Sequence, residues 1–160
     1  MNKQILGIVI VVILALSTLI SCNESSKTIS ETPKDTILPS KLDTFCFEKR
    51  EGLKLEDVTS VKLIISSDSV NGTMEWLPFE KDGAVGTLKG IKKGDELFVT
   101  FNYVIEGSNQ LEDMIFKIEG DTLYQKEGAL KELSADPPHF ALQNADSSSY
   151  TIKLNKVYCK

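Results

Sequence analysis

Hydrophobic and polar positions divide the chain into three stretches. Ile5 to Ile20 is an apolar run broken only by Ser17 and Thr18, Asn23 to Lys41 is polar without a sustained period, and from Leu42 the pattern alternates every second residue. Alternation sends successive side chains to opposite faces of an extended chain, so each run predicts a half-buried strand. Leu97, Val99, Phe101, Tyr103 and Ile105 form the cleanest series, set against Thr100, Asn102 and Glu106. Val61, Leu63 and Ile65, and then Met114, Phe116 and Ile118, repeat it with β-branched and aromatic residues on the core face.

Turn chemistry falls between these runs. Asp68 to Gly72, Lys81-Asp82-Gly83, Lys93-Gly94-Asp95, Gly107-Ser108-Asn109 and Glu119-Gly120-Asp121 supply the glycine and Asx residues of tight hairpins, at intervals of roughly one strand plus one turn. Strands are expected near residues 44–49, 57–67, 72–79, 84–91, 95–106, 110–119, 122–127 and 150–158. Successive hairpins without crossover helices make an all-β antiparallel up-and-down meander. Eight such strands suit a closed or nearly closed barrel of lipocalin-like architecture, because closure removes exposed edges. An open or sandwiched sheet is the alternative. Gly94-Asp95-Glu96-Leu97 recurs as Gly120-Asp121-Thr122-Leu123, which reads as hairpin grammar and puts both Gly-Asp turns at one end of the sheet. In segment 127–149, Leu130 and Leu133 permit a helical turn, and Ser134 to Ser149 reads as a loop.

The first apolar run changes the picture of the whole chain. Lys3 precedes it, its length is that of a signal-peptide core, and it falls short of the roughly 20 residues that span hydrocarbon. It ends at Leu19-Ile20-Ser21-Cys22, which resembles the lipobox of bacterial lipoproteins. That resemblance implies a leader over residues 1–21 that is cleaved, a lipidated Cys22 as the first mature residue, and acyl chains such as palmitate holding the protein on a membrane. One acyl chain, at about 0.8 kcal/mol per buried methylene, anchors only reversibly, whereas several make a durable anchor. An uncleaved N-terminal helix is the plainer alternative. The implied address is the bacterial cell envelope, the outer membrane ahead of the inner.

Residues 22–41 carry Ser25, Ser26, Thr28, Ser30, Thr32, Pro33, Thr36, Pro39 and Ser40. Such a composition buries too little to offset ordering entropy, so it predicts a flexible lipidated tether. A single domain over residues 42–160 follows, long enough for one core. The formal net charge of the 160 residues is −5, and no Lys/Arg stripe interrupts it, which argues against nucleic-acid binding.

With Cys22 assigned to lipid, Cys46 and Cys159 remain, near the two ends of the folded region. In an exported protein the first expectation is a disulfide; two buried thiols are the alternative. A metal or catalytic role has little support, since neither cysteine has a CxxC partner or a nearby histidine. Cys46 falls in the first expected strand and Cys159 at the end of the last, and these become neighbours if the sheet closes.

Trp76, Glu80-Lys81-Asp82-Gly83, Gly86-Thr87-Leu88, Gly90, Lys93-Gly94-Asp95 and Gly120-Asp121-Thr122-Leu123, within Gly72 to Leu123, resemble the small β-meander lipoproteins abundant in Bacteroidetes. Tyr158-Cys159 with an early Cys46 is similar to their pattern too. The likeness implies an envelope lipoprotein and brings no catalytic residues. The Cys-rich copper-site signature of stress lipoproteins with such a barrel is absent, as is the Gly-x-Trp of lipocalins.

Candidate chemistry is sparse. His139, in Asp136-Pro137-Pro138-His139-Phe140, is the single histidine and reads as a solvated loop residue. Serines lack a Gly-x-Ser-x-Gly context. Glu112-Asp113 and Asp95-Glu96 are adjacent acids, which a strand points to opposite faces. No EF-hand, P-loop or zinc spacing occurs, and no cofactor or metal is expected. Trp76, Phe79, Phe101, Tyr103 and Phe116 are the side chains expected to fill a small barrel. A sharper expectation is a partly hollow barrel that takes a small apolar ligand between Trp76 and Tyr103. The function expected is a non-enzymatic binding or interaction module with a protein or small-ligand partner, and the alternative is a lipocalin-like carrier.

Overall fold

The alternating runs become the wall of a barrel in the computed structural model, which describes residues 42–160. The leader (1–21), Cys22 and the tether (22–41) lie outside the described residues. Ten strands follow in order: β1 (Asp43–Glu51), β2 (Asp57–Ser66), β3 (Ser69–Leu77), β4 (Ala84–Lys93), β5 (Glu96–Ile105), β6 (Ser108–Glu119), β7 (Thr122–Glu127), β8 (Leu130–Ala135), β9 (Pro138–Leu142) and β10 (Ser149–Val157). No helix occurs among the described residues.

Strands β1 to β7 pair antiparallel in sequence, β7 pairs with β10, and β10 returns to β1, so eight strands close on themselves. Period-two patterning dictates the two faces. Phe47, Leu63, Leu88, Phe116, Leu123 and Leu154 point inward, and none is more than 1% exposed, so side chains fill the middle of the barrel. Lys62, Thr73, Glu75, Lys89 and Asn102 point outward and are exposed. This apolar-inside, polar-outside sense is the reverse of a barrel facing lipid.

Closure needs sharp local bending, and β4 supplies it at two inward-facing glycines. A Cβ on Gly86 or Gly90 would run into the backbone carbonyl of Asn102 or Phe98 on β5, so only glycine lets the two strands approach this closely. The Gly94-Asp95 and Gly120-Asp121 loops join β4 to β5 and β6 to β7 at one end of the barrel, as the repeat implied. Gly94 and Gly120 have φ of +60° and +58°, a conformation that a side chain would strain. Strand β1 starts at this turn end, where Asp43 and Asp95 line one small hollow, and finishes at Glu51 at the opposite end.

The seam between first and last strands is covalent. Cys46 on β1 is bonded to Cys159, just past β10, with 5.3 Å between Cα atoms and a sequence separation of 113. Core, closure and cross-link therefore all fall within residues 42–160, and this segment holds what it needs to fold by itself.

Two sequence expectations require correction. Within segment 127–149, Leu130 and Leu133 lie on no helical turn and Pro138–Leu142 on no loop: β8 and β9 make a hairpin there. The register of β8 on β9 shifts between Glu132 and Ser134, so Leu133 is the extra residue of a bulge and its three-residue spacing from Leu130 reflects no helix. Trp76 and Phe79 are not core: they are 42% and 53% exposed. Trp76 takes the last inward position of β3, at the barrel rim, and Phe79 lies beyond the strand's end.

The hairpin has a structural reason to be where it is. Strand β6 is 12 residues long and β7 only 6, so β7 pairs only with Phe116–Glu119. Upstream, Leu111–Asp113 instead pair in parallel with His139–Ala141 of β9. An edge that would otherwise be left open is thereby covered.

Candidate functional site

The barrel's filled middle gives way to a cavity of about 330 Å³ at the end opposite the Gly-Asp turns. All eight barrel strands contribute to it: Lys49 and Glu51 from β1, Thr59 from β2, Met74 and Trp76 from β3, Ala84 from β4, Phe101, Tyr103 and Ile105 from β5, Glu112 and Met114 from β6, Gln125 from β7, and Ile152 from β10. It is thus the open end of the lumen. Its volume lies at the low end of the range for small-molecule sites.

Strand register explains how a carboxylate came to face this space. Glu112 lies across from Phe101, and Met114 across from Val99, so Glu112 shares the inward face with Met114 and Phe116. Asp113, one residue on, faces outward. Burial, followed by repulsion from Asp113, holds the Glu112 carboxyl above its ordinary value. Among the described residues Glu112 has no hydrogen-bond or ion-pair partner. The other charges of the lining neutralise each other, with Lys49 Nζ 2.7 Å from Glu51 Oε2.

Aromatic side chains form much of the wall. Phe101 and Tyr103 stack with ring centroids 4.6 Å apart, and the Tyr103 hydroxyl donates to Gln110 Oε1 at 3.0 Å. Burial and then the charge of Glu112 push the Tyr103 phenol up. Trp76 and Tyr103 both line this cavity. Glu112 joins them there, a residue that the sequence offered only as half of the Glu112-Asp113 pair. The signal was an acidic residue in phase with Met114 and Phe116, legible only once the register of β6 is known.

A second constellation sits on the outer wall. Asp113 Oδ1 accepts a hydrogen bond from Thr100 Oγ1 at 2.8 Å, and His139 Nε2 lies 3.0 Å from the same oxygen. His139 is therefore a half-buried strand residue, not the solvated loop residue expected, because β9 carries it against β6. Its Nε2 is buried and out of hydrogen-bonding alignment, so the contact becomes an ion pair only when the imidazole is protonated. The Thr100 hydroxyl points to the carboxylate instead of the imidazole, so the hydroxyl–imidazole–carboxylate order that activates a nucleophile is not built here. A hollow of about 390 Å³ lies beside it, between the barrel wall and residues Ala141, Leu142 and Ala145.

The connection from β9 to β10 is fastened by Lys126. Its ammonium is 2.9 Å from Glu96 Oε1, donates to the Ala145 carbonyl at 3.3 Å and sits over the Tyr150 ring. Tyr150 donates its hydroxyl to Glu96 Oε1 at 2.6 Å. The Tyr150 hydrogen bond and then Lys126 lower the Glu96 carboxyl below its ordinary value. Burial, followed by that hydrogen bond, raises the Tyr150 phenol. No cluster of three or more metal-ligating side chains occurs among the described residues. Compared with family models, curated proteins and solved structures, the chain matches none.

Proposed function

We propose that the protein is a lipid-anchored envelope binding module whose barrel mouth takes a small, largely apolar ligand. The observation that carries the reading is the cavity of about 330 Å³ at the lumen end, walled by all eight barrel strands. A pocket with an apolar and aromatic wall and a few polar groups is the usual form of a small-molecule site. The anchor, at Cys22, comes from the lipobox resemblance. Chain direction supports the combination: β1 begins at the turn end and finishes at the mouth, so the segment leading to Cys22 attaches at the end away from the pocket.

The test uses N-phenyl-1-naphthylamine, an uncharged probe that brightens in apolar surroundings. With residues 42–160 its emission should rise and saturate, with energy transfer from Trp76, the single tryptophan. Ala84→Phe, which fills the mouth, should abolish the signal. No enhancement, or enhancement indifferent to Ala84→Phe, contradicts the reading.

A protein-interaction role has separate support at β8. All six of its residues are exposed, Leu130 and Leu133 among them, and it ends the sheet order with only β9 beside it.

A further inference from the structure

The mouth contains one charge that the protein leaves unanswered. Of the ionisable side chains lining the cavity, Lys49 and Glu51 pair with each other at 2.7 Å, and Glu112 faces the same space with no partner among the described residues. Around it stand Trp76, Phe101 and Tyr103. A carboxylate drawn partly out of water is unfavourable unless it takes up a proton or a cation comes to it, and above its raised value only the cation remains. Aromatic rings attract cations through their negatively polarised faces, an attraction that strengthens as water is excluded. An anionic ligand would meet repulsion from Glu112, and a neutral apolar one would leave its carboxylate further desolvated and still unpaired.

We infer that the ligand of the barrel mouth is a small organic cation, an amine or quaternary ammonium carried on an apolar body, with Glu112 as its counter-ion and Trp76, Phe101 and Tyr103 as its aromatic enclosure. This rests on the reading of the mouth as a binding site and adds the chemical class of the occupant. The neutralised Lys49–Glu51 pair at the rim leaves the lining with one net negative charge, set by Glu112. Met74 and Met114, also in the lining, add polarisable thioethers that adapt to an apolar body.

The experiment compares two compounds of the same shape, phenyltrimethylammonium and its uncharged counterpart tert-butylbenzene, by quenching of Trp76 emission in residues 42–160 at mildly alkaline pH. The expected result is that the cation binds at least about tenfold more tightly than the hydrocarbon. Glu112→Gln should remove that preference, with its melting curve verifying the fold. Asp113→Asn, which alters the neighbouring carboxylate on the outer wall, should retain it. Equal affinity for the two compounds, or a preference that survives Glu112→Gln, overturns the inference while leaving the pocket in place. If N-phenyl-1-naphthylamine, the cation and the hydrocarbon all fail to bind, the pocket reading itself falls and this inference with it.

Discussion

Glu112 stands directly across the β5–β6 ladder from Phe101, so a carboxylate and an aromatic ring share the inner face of the barrel near its mouth. Burial of that carboxylate therefore carries an electrostatic penalty. Glu112's folded-state value is raised, so the folded protein holds this proton to higher pH than the unfolded chain does. Stability must then fall as pH rises from the ordinary glutamate value through the raised one. Glu112→Gln removes the penalty. The variant should be more stable than wild type by about 1 kcal/mol near neutral pH, and the two should converge below the ordinary glutamate value. Urea midpoints across that pH range are the measurement.

The Cys46–Cys159 bond closes a loop spanning 113 residues in sequence and ties together β1 and β10, the first and last of the described strands. In the chain-entropy model such a cross-link contributes about 4 to 5 kcal/mol. Cys46→Ala/Cys159→Ala should lower the denaturation free energy by an amount of that order, and wild type with reductant should behave like the double variant. Hydrogen exchange should quicken first along β1 and β10. A double variant as stable as wild type would mean that β1–β10 pairing needs no tie.

Tyr150 and Lys126 converge on one oxygen of Glu96, fastening the 143–150 segment to the barrel. Tyr150→Phe removes a hydrogen bond to a charged acceptor at a partly exposed site, and should cost about 1 kcal/mol. Glu96 is lowered by this contact, so its contribution is present above the ordinary glutamate value and is lost as pH falls through the lowered folded value. The acid limb of the stability curve should flatten in Tyr150→Phe. Exchange of the amides in residues 143–148 should accelerate.

Much of this fold is legible in the order of residues. The alternation of Leu97 to Ile105 identifies β5, the Gly-Asp pairs mark two turns at one end, and Cys46 with Cys159 point to neighbouring first and last strands. What escapes depends on non-local pairing. Leu130 and Leu133 are spaced like a helical pair although Leu133 is a bulge residue of a strand, and nothing local shows that β9 lies parallel to β6, so His139 and Asp113 cannot be brought together from sequence. Trp76 fits the inward phase, but whether an inward residue is core or rim depends on where the barrel stops. Glu112 is hidden for the same reason: its direction is fixed by register, and its significance by the cavity beside it.

Lipidation at Cys22 is open to direct test. The protein from the membrane fraction should begin at Cys22 and carry acyl mass, and Cys22→Ala should lose that mass and leave the fraction. Intact-mass spectrometry of both forms, with and without reduction, reads the lipid and the Cys46–Cys159 bond together. A wild-type chain retaining Met1 and lacking acyl groups would remove the anchor from the proposed function.

Occupancy of the mouth can be seen directly, because Met74 and Met114 are the only methionines after Met1 and both line the cavity. Residues 42–160 labelled with ¹³C at the methionine methyls give two resonances, both within the site. On titration with N-phenyl-1-naphthylamine, both should move together with the Trp76 indole signal and reach saturation at one common affinity. Methyl resonances that stay fixed throughout the titration, whether the probe binds elsewhere or not at all, would contradict a ligand site in the barrel mouth.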